Sequence, residues 1–202
     1  TVETANQLAN SLRSGALPVD LKVVEERSVG PDLGADSIEK GMIAFGVGTG
    51  LLVLFMMATY GRFGIYANSA LVLNVLMILG VMAIMNTTLT LPGIAGFVLT
   101  IGAAVDANVL INERIREERA RGRRVIQAVE MGYTEASRAI FDANITNVIA
   151  AVLMFLFGSG PVRGFAVVLM IGIVTSVFTA VTMTRLWVSG WLRRTRPNDI
   201  VL

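Results

Sequence analysis

The sequence predicts an all-α membrane bundle of five transmembrane helices, preceded by a short α/β segment. Hydrophobic residues make up 54% of the 202 positions, which is above the fraction usual in globular proteins. They lie in long uncharged blocks, and the block from residue 63 to residue 105 contains no Asp, Glu, Lys or Arg. Blocks of this length are typical of helices that cross a bilayer.

Residues 1–35 have a different pattern from the rest of the chain. The stretch "TVETANQLANSLRSG" puts its apolar residues on one helical stripe, which Gly15 ends, and "LPVDLKVVEERSVG" has the mixed alternation of a strand. So short an α/β piece cannot bury a core of its own. We therefore expect residues 1–35 to be the C-terminal end of a domain outside the membrane, within a longer protein.

Charges and turn residues give the bounds of the five apolar segments. At roughly 1.5 Å per residue the uncharged block is too long for one crossing, and the turn residues of "NTTLTLPG" divide it. The predicted spans are residues 41–60, 65–85, 93–112, 139–157 and 165–187. The predicted transmembrane domain is then residues 36–190, with residues 191–202 as a tail.

The arginines predict the orientation of these spans. They crowd into residues 114–124, after the third span, and residues 185–196, after the fifth. By the positive-inside rule both segments lie in the cytoplasm, so the C-terminus is cytoplasmic and residues 1–35 lie on the opposite side. Trp187 and Trp191 lie where an interfacial aromatic belt is expected.

Asp106 is a carboxylate that the sequence places deep within a predicted span. In a helix starting near Gly93 it lies roughly 7 Å to the cytoplasmic side of the middle of the span. A charge at that depth is costly, and such residues usually face the bundle interior and mark an ion or proton path. Gly102 and Ala103 beside it would let another helix pack closely. The alternative is a structural carboxylate hydrogen-bonded to a neighbouring helix.

Other polar residues form a second group of candidates. Glu113 continues the stripe of Asp106, either as part of a proton exit route or within a solvated helix extension surrounded by arginine pairs. For the remaining intramembrane polar residues, hydrogen bonding between helices is the default interpretation. The candidate supporting or helix-packing positions are Gly102, Ala103, Asn108, Glu113, Asn144, Thr146 and Asn147.

The composition also argues against several classes of function. The chain has no cysteine and no histidine, which removes thiolate chemistry and the commonest metal ligand. It contains no phosphate-binding glycine loop, no metal-ligand cluster and no pairing of a nucleophile with a base. We therefore expect no enzymatic activity, no metal or cofactor, and no nucleic-acid partner.

The stretch "TLTLPGIAGFVLTIGAAVDANVLINERIREE" resembles the signature segment of the SecD/SecF family of bacterial protein export, in its SecD version. The resemblance extends back to "VEERSVGPDLGADSIEKG" and forward through "DANITNVIAAVLMFLFGSGPVRGFAVVLMIGIVTS", so it covers nearly the whole chain. Asn112 departs from the pattern, because many members have an aromatic residue at that position.

The resemblance implies a fold, a function and a set of partners. The fold would be five of the six helices of one RND-superfamily half, with SecF supplying the pseudo-symmetric half and residues 1–35 ending a periplasmic domain. The function would be coupling the proton-motive force, or sodium in some members, to late preprotein translocation across the bacterial inner membrane, with Asp106 as the coupling residue. The partners would be SecF, the SecYEG channel, the translocating preprotein and membrane phospholipid.

Two other functions are compatible with the same residues. One is a structural scaffold subunit of the translocon without ion coupling, in which neutralising Asp106 would leave transport intact. The other is an RND-type proton-driven exporter of small molecules or lipids. Such exporters usually carry several intramembrane charges on one helix, which makes this alternative the weakest of the three.

Overall fold

The structure is a computed structural model that describes residues 1–13, 31–87, 90–197 and 199–200. Within these ranges all regular secondary structure is helical, which confirms the predicted all-helical membrane class. The elements are α1 (Val2–Arg13), α2 (Pro31–Ile84), α3 (Leu91–Ala120), α4 (Val125–Phe157), α5 (Pro161–Val177), a π-helical turn (Phe178–Met183) and α6 (Thr184–Thr195). The chain forms two compact units, Thr1–Gly34 and Ala35–Leu202.

The first unit contains the helix that the apolar stripe predicts. Helix α1 begins after Thr1, whose hydroxyl accepts a hydrogen bond from the backbone N–H of Thr4 at 3.4 Å. A threonine in this position caps backbone N–H groups that have no partner within the helix. The predicted strand falls within residues 14–30, which lie outside the described residues.

Helix α2 reverses direction at Gly61. This residue has φ 49° and ψ −115°, a conformation that glycine adopts without the steric cost of a Cβ. The Asn68 side chain donates a hydrogen bond to the Val53 carbonyl oxygen at 3.2 Å. In a continuous helix residues 15 apart would be separated by roughly 22 Å, so the two halves of α2 lie side by side. The reversal falls between the first and second predicted spans.

Four helices of the described chain are long and apolar enough to cross a membrane. They are Ile38–Ile84, Leu91–Ala120, Val125–Phe157 and Pro161–Thr195, the last of which joins α5, the π-helical turn and α6. The first of the four contains the reversal at Gly61. Five crossings remain a prediction.

The predicted break between the second and third spans is a turn. Helix α2 ends at Ile84, and Asn86 adopts a left-handed conformation with φ 50°. Thr90 then caps α3, because its hydroxyl accepts a hydrogen bond from the Gly93 N–H at 3.2 Å. Pro92 lies in the first turn of α3, where its missing N–H costs no helical hydrogen bond.

Helices α3 and α4 extend beyond the predicted spans. The third span was predicted to end at residue 112 and the fourth to begin at 139, whereas α3 continues to Ala120 and α4 already begins at Val125. The polar residues between the spans are therefore mostly helical. The predicted spans concern membrane crossings, so they stay predictions: hydropathy marks where apolar sequence stops, and a helix rich in Arg and Glu continues past that point.

Helix α3 lies at the centre of the second unit and packs against α4 and α5 at very short distances. A Cβ on Gly132 would lie 2.8 Å from the backbone nitrogen of Ile115, and a Cβ on Gly172 would lie 2.5 Å from the Cβ of Thr100. Both distances are shorter than real side chains tolerate. Gly132 and Gly172 thus set how closely α4 and α5 approach α3, as small residues do in membrane helix packing.

We expect Gly172→Ala to lower the free energy of unfolding by about 1–3 kcal/mol, because the added methyl must push α5 away from Thr100. The matched control is Gly80→Ala on the exposed side of α2, where a Cβ meets nothing within 4 Å. There the alanine should be neutral or stabilising by up to about 1 kcal/mol. Denaturation of the full-length protein in mild detergent measures both, and equal effects would contradict the packing account.

Candidate functional site

Asp106 lies near the middle of α3 and is exposed on the surface of the second unit. Leu99 and Gly102, which precede it on the same side of the helix, are exposed as well, and a Cβ on Gly102 would meet no atom within 4 Å. Among the described residues the Asp106 carboxylate has no hydrogen bond and no ion pair. In the part of the chain that the structure describes, therefore, the carboxylate stays uncovered.

The asparagines that follow Asp106 lie on the buried side of α3. Asn108 is 5% exposed, and its side chain donates to the Ala104 carbonyl oxygen at 2.9 Å. Asn112 is 4% exposed, and its side-chain nitrogen has no hydrogen-bond partner in the described part of the chain. One helix thus presents a carboxylate outward and two amides inward, because residues 106 and 108 are about 200° apart around an α-helix.

The polar candidates on α4 are not brought into contact with Asp106. Asn144 is partly buried and donates to the Ile140 carbonyl oxygen of its own helix at 2.8 Å. Thr146 and Asn147 are exposed. No hydrogen bond joins any of the three to α3 within the described ranges.

Glu113 anchors the reversal of α2 to α3. Its carboxylate accepts a hydrogen bond from the Tyr60 hydroxyl at 2.8 Å and pairs with the Arg116 guanidinium at 2.6 Å. The same guanidinium lies 5.3 Å from the centre of the Tyr60 ring. Tyr60, which is only 2% exposed, directly precedes Gly61. The pair with Arg116 is of the kind expected for a helix extension surrounded by arginine pairs, whereas no sequence pattern predicted the contact with Tyr60.

Five of the six arginines between residues 114 and 124 form ion pairs with described residues. The pairs join Arg114 to Glu117, Arg116 to Glu113, Arg119 to Asp199, and both Arg121 and Arg123 to the buried Glu118. A hydrogen bond from the Arg119 guanidinium holds the pKa of the Asp199 carboxyl below its ordinary value of 3.8. That pair is therefore present at neutral pH and weakens only as the pH falls into the acid range.

The π-helical turn changes which threonines of the last helix are buried. The sequence places Thr175, Thr179 and Thr182 along one side, but only the first two are buried and Thr182 is exposed. The backbone N–H of Thr184 bonds to the Thr179 carbonyl, five residues back, and Thr184 takes the next buried position. Its hydroxyl lies 2.8 Å from the hydroxyl of Tyr133 on α4. One additional residue in the turn produces this shift.

Asn74 is a buried polar residue that the sequence reasoning did not select. It lies in the second half of α2 and is fully buried, and neither its side-chain oxygen nor its nitrogen has a hydrogen-bond partner among the residues described. The sequence does contain a signal for this residue, because Asn74 is the single polar side chain between residues 70 and 85. Burying an amide without a partner is unfavourable.

Comparison with protein families gives a match over almost the whole chain. Residues 9–193 match the family described as "Protein export membrane protein SecD/SecF, C-terminal". The chain is 52% identical over 198 residues to the protein translocase subunit SecD of Acetobacter pasteurianus, and 48% identical over 202 residues to that of Rhodobacter capsulatus. These alignments cover 98% and 100% of this chain but only 38% and 36% of the two relatives.

Solved structures show the same similarity. The chain superimposes with a TM-score of 0.84 on SecDF from Thermus thermophilus, described as a translocon-associated membrane protein, at 44% identity. That match covers 98% of this chain and 28% of the SecDF chain. A second SecDF structure, in a super-membrane-facing form, gives a TM-score of 0.78 at 44% identity, over 96% of this chain and 27% of that one.

We expect Tyr60→Phe to lower the free energy of unfolding by about 1–2 kcal/mol, because the variant loses a hydrogen bond to a charged acceptor. The control is Tyr66→Phe in the following half of α2, where the tyrosine hydroxyl makes no hydrogen bond with the described residues. It should change stability by less than about 0.5 kcal/mol. Denaturation in detergent compares the two variants, and a Tyr60→Phe protein as stable as the control would contradict the anchoring role.

We expect Asn74→Leu to raise the free energy of unfolding by about 1–3 kcal/mol, because it replaces an unpaired buried amide with an apolar side chain of similar size. Asn68→Leu in the same helix serves as the contrast. It removes the hydrogen bond to Val53 and should be destabilising by about 1 kcal/mol. Loss of stability on Asn74→Leu would show that the amide is paired in the assembled protein.

Proposed function

The chain belongs to the SecD branch of the SecD/SecF family of protein-export membrane proteins, and from this premise we propose that Asp106 couples an ion gradient to late preprotein translocation. The whole protein would act as an accessory subunit of the Sec translocase in the bacterial inner membrane, and not as an enzyme. The observation that carries the proposal is the placement of Asp106 on the open side of α3, where its carboxylate has no partner among the described residues.

The exposure of Asp106 supports a site that is completed by another part of the assembly. A charged carboxylate near the middle of a membrane helix costs about 2.5–3.5 kcal/mol on insertion scales, unless water or a partner surrounds it. Gly102 leaves open space beside it, so a second helix can approach closely. The chain spans less than two fifths of the SecD relatives that it matches. SecF is the proposed source of the covering helix and of a cation facing Asp106.

The contacts of the second unit favour five crossings. The reversal at Gly61 divides α2 into two antiparallel halves, and α3, α4 and the continuous helix Pro161–Thr195 supply three further crossings. Tyr60 contacts Glu113 at the end of the third crossing, and Phe63 packs edge-on against Trp191 at the end of the fifth, with ring centres 6.1 Å apart. The ends of the third and fifth crossings, which both carry arginine-rich sequence, therefore lie on the same side as the reversal at Gly61.

That side is the cytoplasm in our proposal, since the arginines of residues 114–124 and 185–196 both lie there. The N-terminal unit is then periplasmic and the C-terminal residues are cytoplasmic. The transmembrane domain would extend from about residue 36 to residue 190, with residues 191–202 as the tail.

Coupling would follow from changes in the charge of Asp106. One elementary charge crossing a potential of 100 mV releases about 2.3 kcal/mol, which is enough to shift an equilibrium between two helix arrangements roughly fiftyfold. Protonation from the periplasmic side removes the negative charge and weakens the attraction of Asp106 to a cation in the SecF half. The helices then shift, the periplasmic domain moves with them, and the preprotein emerging from the SecYEG channel is biased outward.

A structural scaffold is the second candidate, because the same open face of α3 suits a purely packing role. Gly102 and the partly buried Ala103 provide a smooth surface for a neighbouring helix, with or without ion movement. The two functions differ in what the carboxyl group must do. Coupling requires a group that gains and loses charge, whereas a scaffold needs only the shape of the helix.

We expect Asp106→Asn in the full-length protein to abolish the acceleration of preprotein translocation by an imposed ion gradient. The amide has nearly the same shape as the carboxyl group but does not titrate. The experiment uses inverted membrane vesicles that contain SecF, and it follows completion of translocation with and without the gradient. Asp106→Glu, which keeps a titrating group, should retain part of the acceleration. Repeating the experiment with separate proton and sodium gradients identifies the ion.

The matched control is Glu135→Gln, a carboxylate-to-amide change on the α4 extension, where Glu135 lies 3.6 Å from Arg138 at the surface. This variant should respond to the gradient as the parent does. If Asp106→Asn assembles with SecF and still responds fully, ion coupling through Asp106 is wrong and the scaffold function replaces it.

A further inference from the structure

A groove lies between α4 and the end of the last helix, away from Asp106. It has a volume of about 790 Å³ and is lined on one side by residues near the start of α4 and on the other by Val181 and successive residues of α6. This volume is in the range of sites that hold small ligands. The groove lies within the second unit, and none of the residues proposed for ion coupling lines it.

Three arginines converge on this groove without acidic partners. Arg185, Arg193 and Arg196 all line it, and none of them forms an ion pair with any residue that the structure describes. Glu130 is the single acidic residue in the lining, so the groove has a net positive charge. The arginines between residues 114 and 124 differ, since five of those six are paired with described carboxylates.

The backbone of Arg196 supports a function for this cluster. Arg196 follows the end of α6 in a left-handed conformation with φ 41°, which is uncommon for a residue with a long side chain. Its N–H bonds to the Leu192 carbonyl oxygen at 2.9 Å and closes the last turn. Helix α6 therefore ends where Arg196, the third of these arginines, lines the groove.

The groove also has an apolar wall. Ile126 and Val129 contribute from α4, and Val181 and Leu186 contribute from the last helix. Val181 and Leu186 lie within the predicted fifth span, whereas Arg193 and Arg196 lie beyond it. Trp187 and Trp191 line the adjacent groove on α6, which Leu186 also borders. Tryptophans concentrate at the level of lipid headgroups, so the groove straddles the boundary between acyl chains and water.

We propose that this groove binds the headgroup of an anionic phospholipid. Its phosphate would lie among Arg185, Arg193 and Arg196, and the first methylenes of its acyl chains would lie against Val181 and Leu186. Basic pockets between membrane helices bind anionic headgroups in this way. A free phosphate or a nucleotide would not use the apolar wall. The proposal requires only that the chain resides in a membrane, so it holds or fails independently of ion coupling.

The test measures phospholipid binding to the full-length protein in detergent by native mass spectrometry. Phosphatidylglycerol is titrated against phosphatidylcholine, and the variants are R185Q, R193Q and R196Q, singly and combined. Each single change should weaken phosphatidylglycerol binding about fivefold, since an arginine near an anionic headgroup contributes that much to affinity. The triple variant should lose the preference for phosphatidylglycerol. The single variants keep the test valid if the triple variant does not fold.

The control removes the same number of charges outside the groove with R114Q, R124Q and R138Q. It should leave the affinity for phosphatidylglycerol within about twofold of the parent, because charges exposed on the surface outside the groove are screened by solvent and contribute little. Three results would overturn the proposal: an unchanged affinity in the groove variants, an equal loss in the control, or displacement of the lipid by equimolar inorganic phosphate. The last result would indicate a simple phosphate site.

Discussion

The close approach of α3 to its two neighbours is the constraint on which the second unit depends. Lipid is as apolar as the side chains it replaces, so helices in a membrane gain little from the hydrophobic effect and associate through close packing. Gly132 lets α4 come against the backbone of Ile115, and Gly172 lets α5 come against Thr100. These two contacts, one with α4 and one with α5, fix the rotation of α3 about its own axis.

That rotation decides what each residue of α3 faces. With Thr100 and Ile115 directed into the bundle, Asn108 and Asn112 are buried, and Asp106 faces outward beside the open surface at Gly102. The bundle satisfies most inward polar groups within single helices, as when Asn108 bonds to the Ala104 carbonyl. The outward carboxylate has no such partner among the described residues. One side of α3 therefore packs in the bundle, and the other carries the residue proposed for coupling.

The arginine-rich ends serve two different purposes. On the α3 extension the guanidiniums are matched with carboxylates, and one of these, Glu118, is buried between two arginines. This pairing closes the connection between α3 and α4 and leaves little free positive charge. On α6 the arginines that line the groove have no such partners in the described chain. Among the described residues, three unpaired arginines share one groove on α6, whereas Arg124 is the one unpaired arginine between residues 114 and 124.

The sequence by itself determined the membrane class and the family, whereas the depth of Asp106 in the membrane stays a prediction. Uncharged blocks of about 20 residues and the charges that flank them can be recognised in the sequence without knowledge of the fold. The "VDANVLI" segment is specific enough to identify the family. The predicted spans mark apolar sequence, and α3 and α4 continue beyond them through polar sequence that hydropathy excludes. The predicted strand falls in residues 14–30, outside those that the structure describes.

Only the tertiary structure decided which way the polar residues face and what they contact. The Tyr60–Glu113 bond joins residues 53 positions apart, and no local pattern specifies such a pair. The π-helical turn puts Thr184 instead of Thr182 in the buried row, because it breaks the 3.6-residue period of a regular α-helix. The unpaired Asn74 and the convergence of Arg185 with Arg196 likewise depend on how separate elements pack. Periodicity shows which residues share a helix face, but packing between helices determines what that face meets.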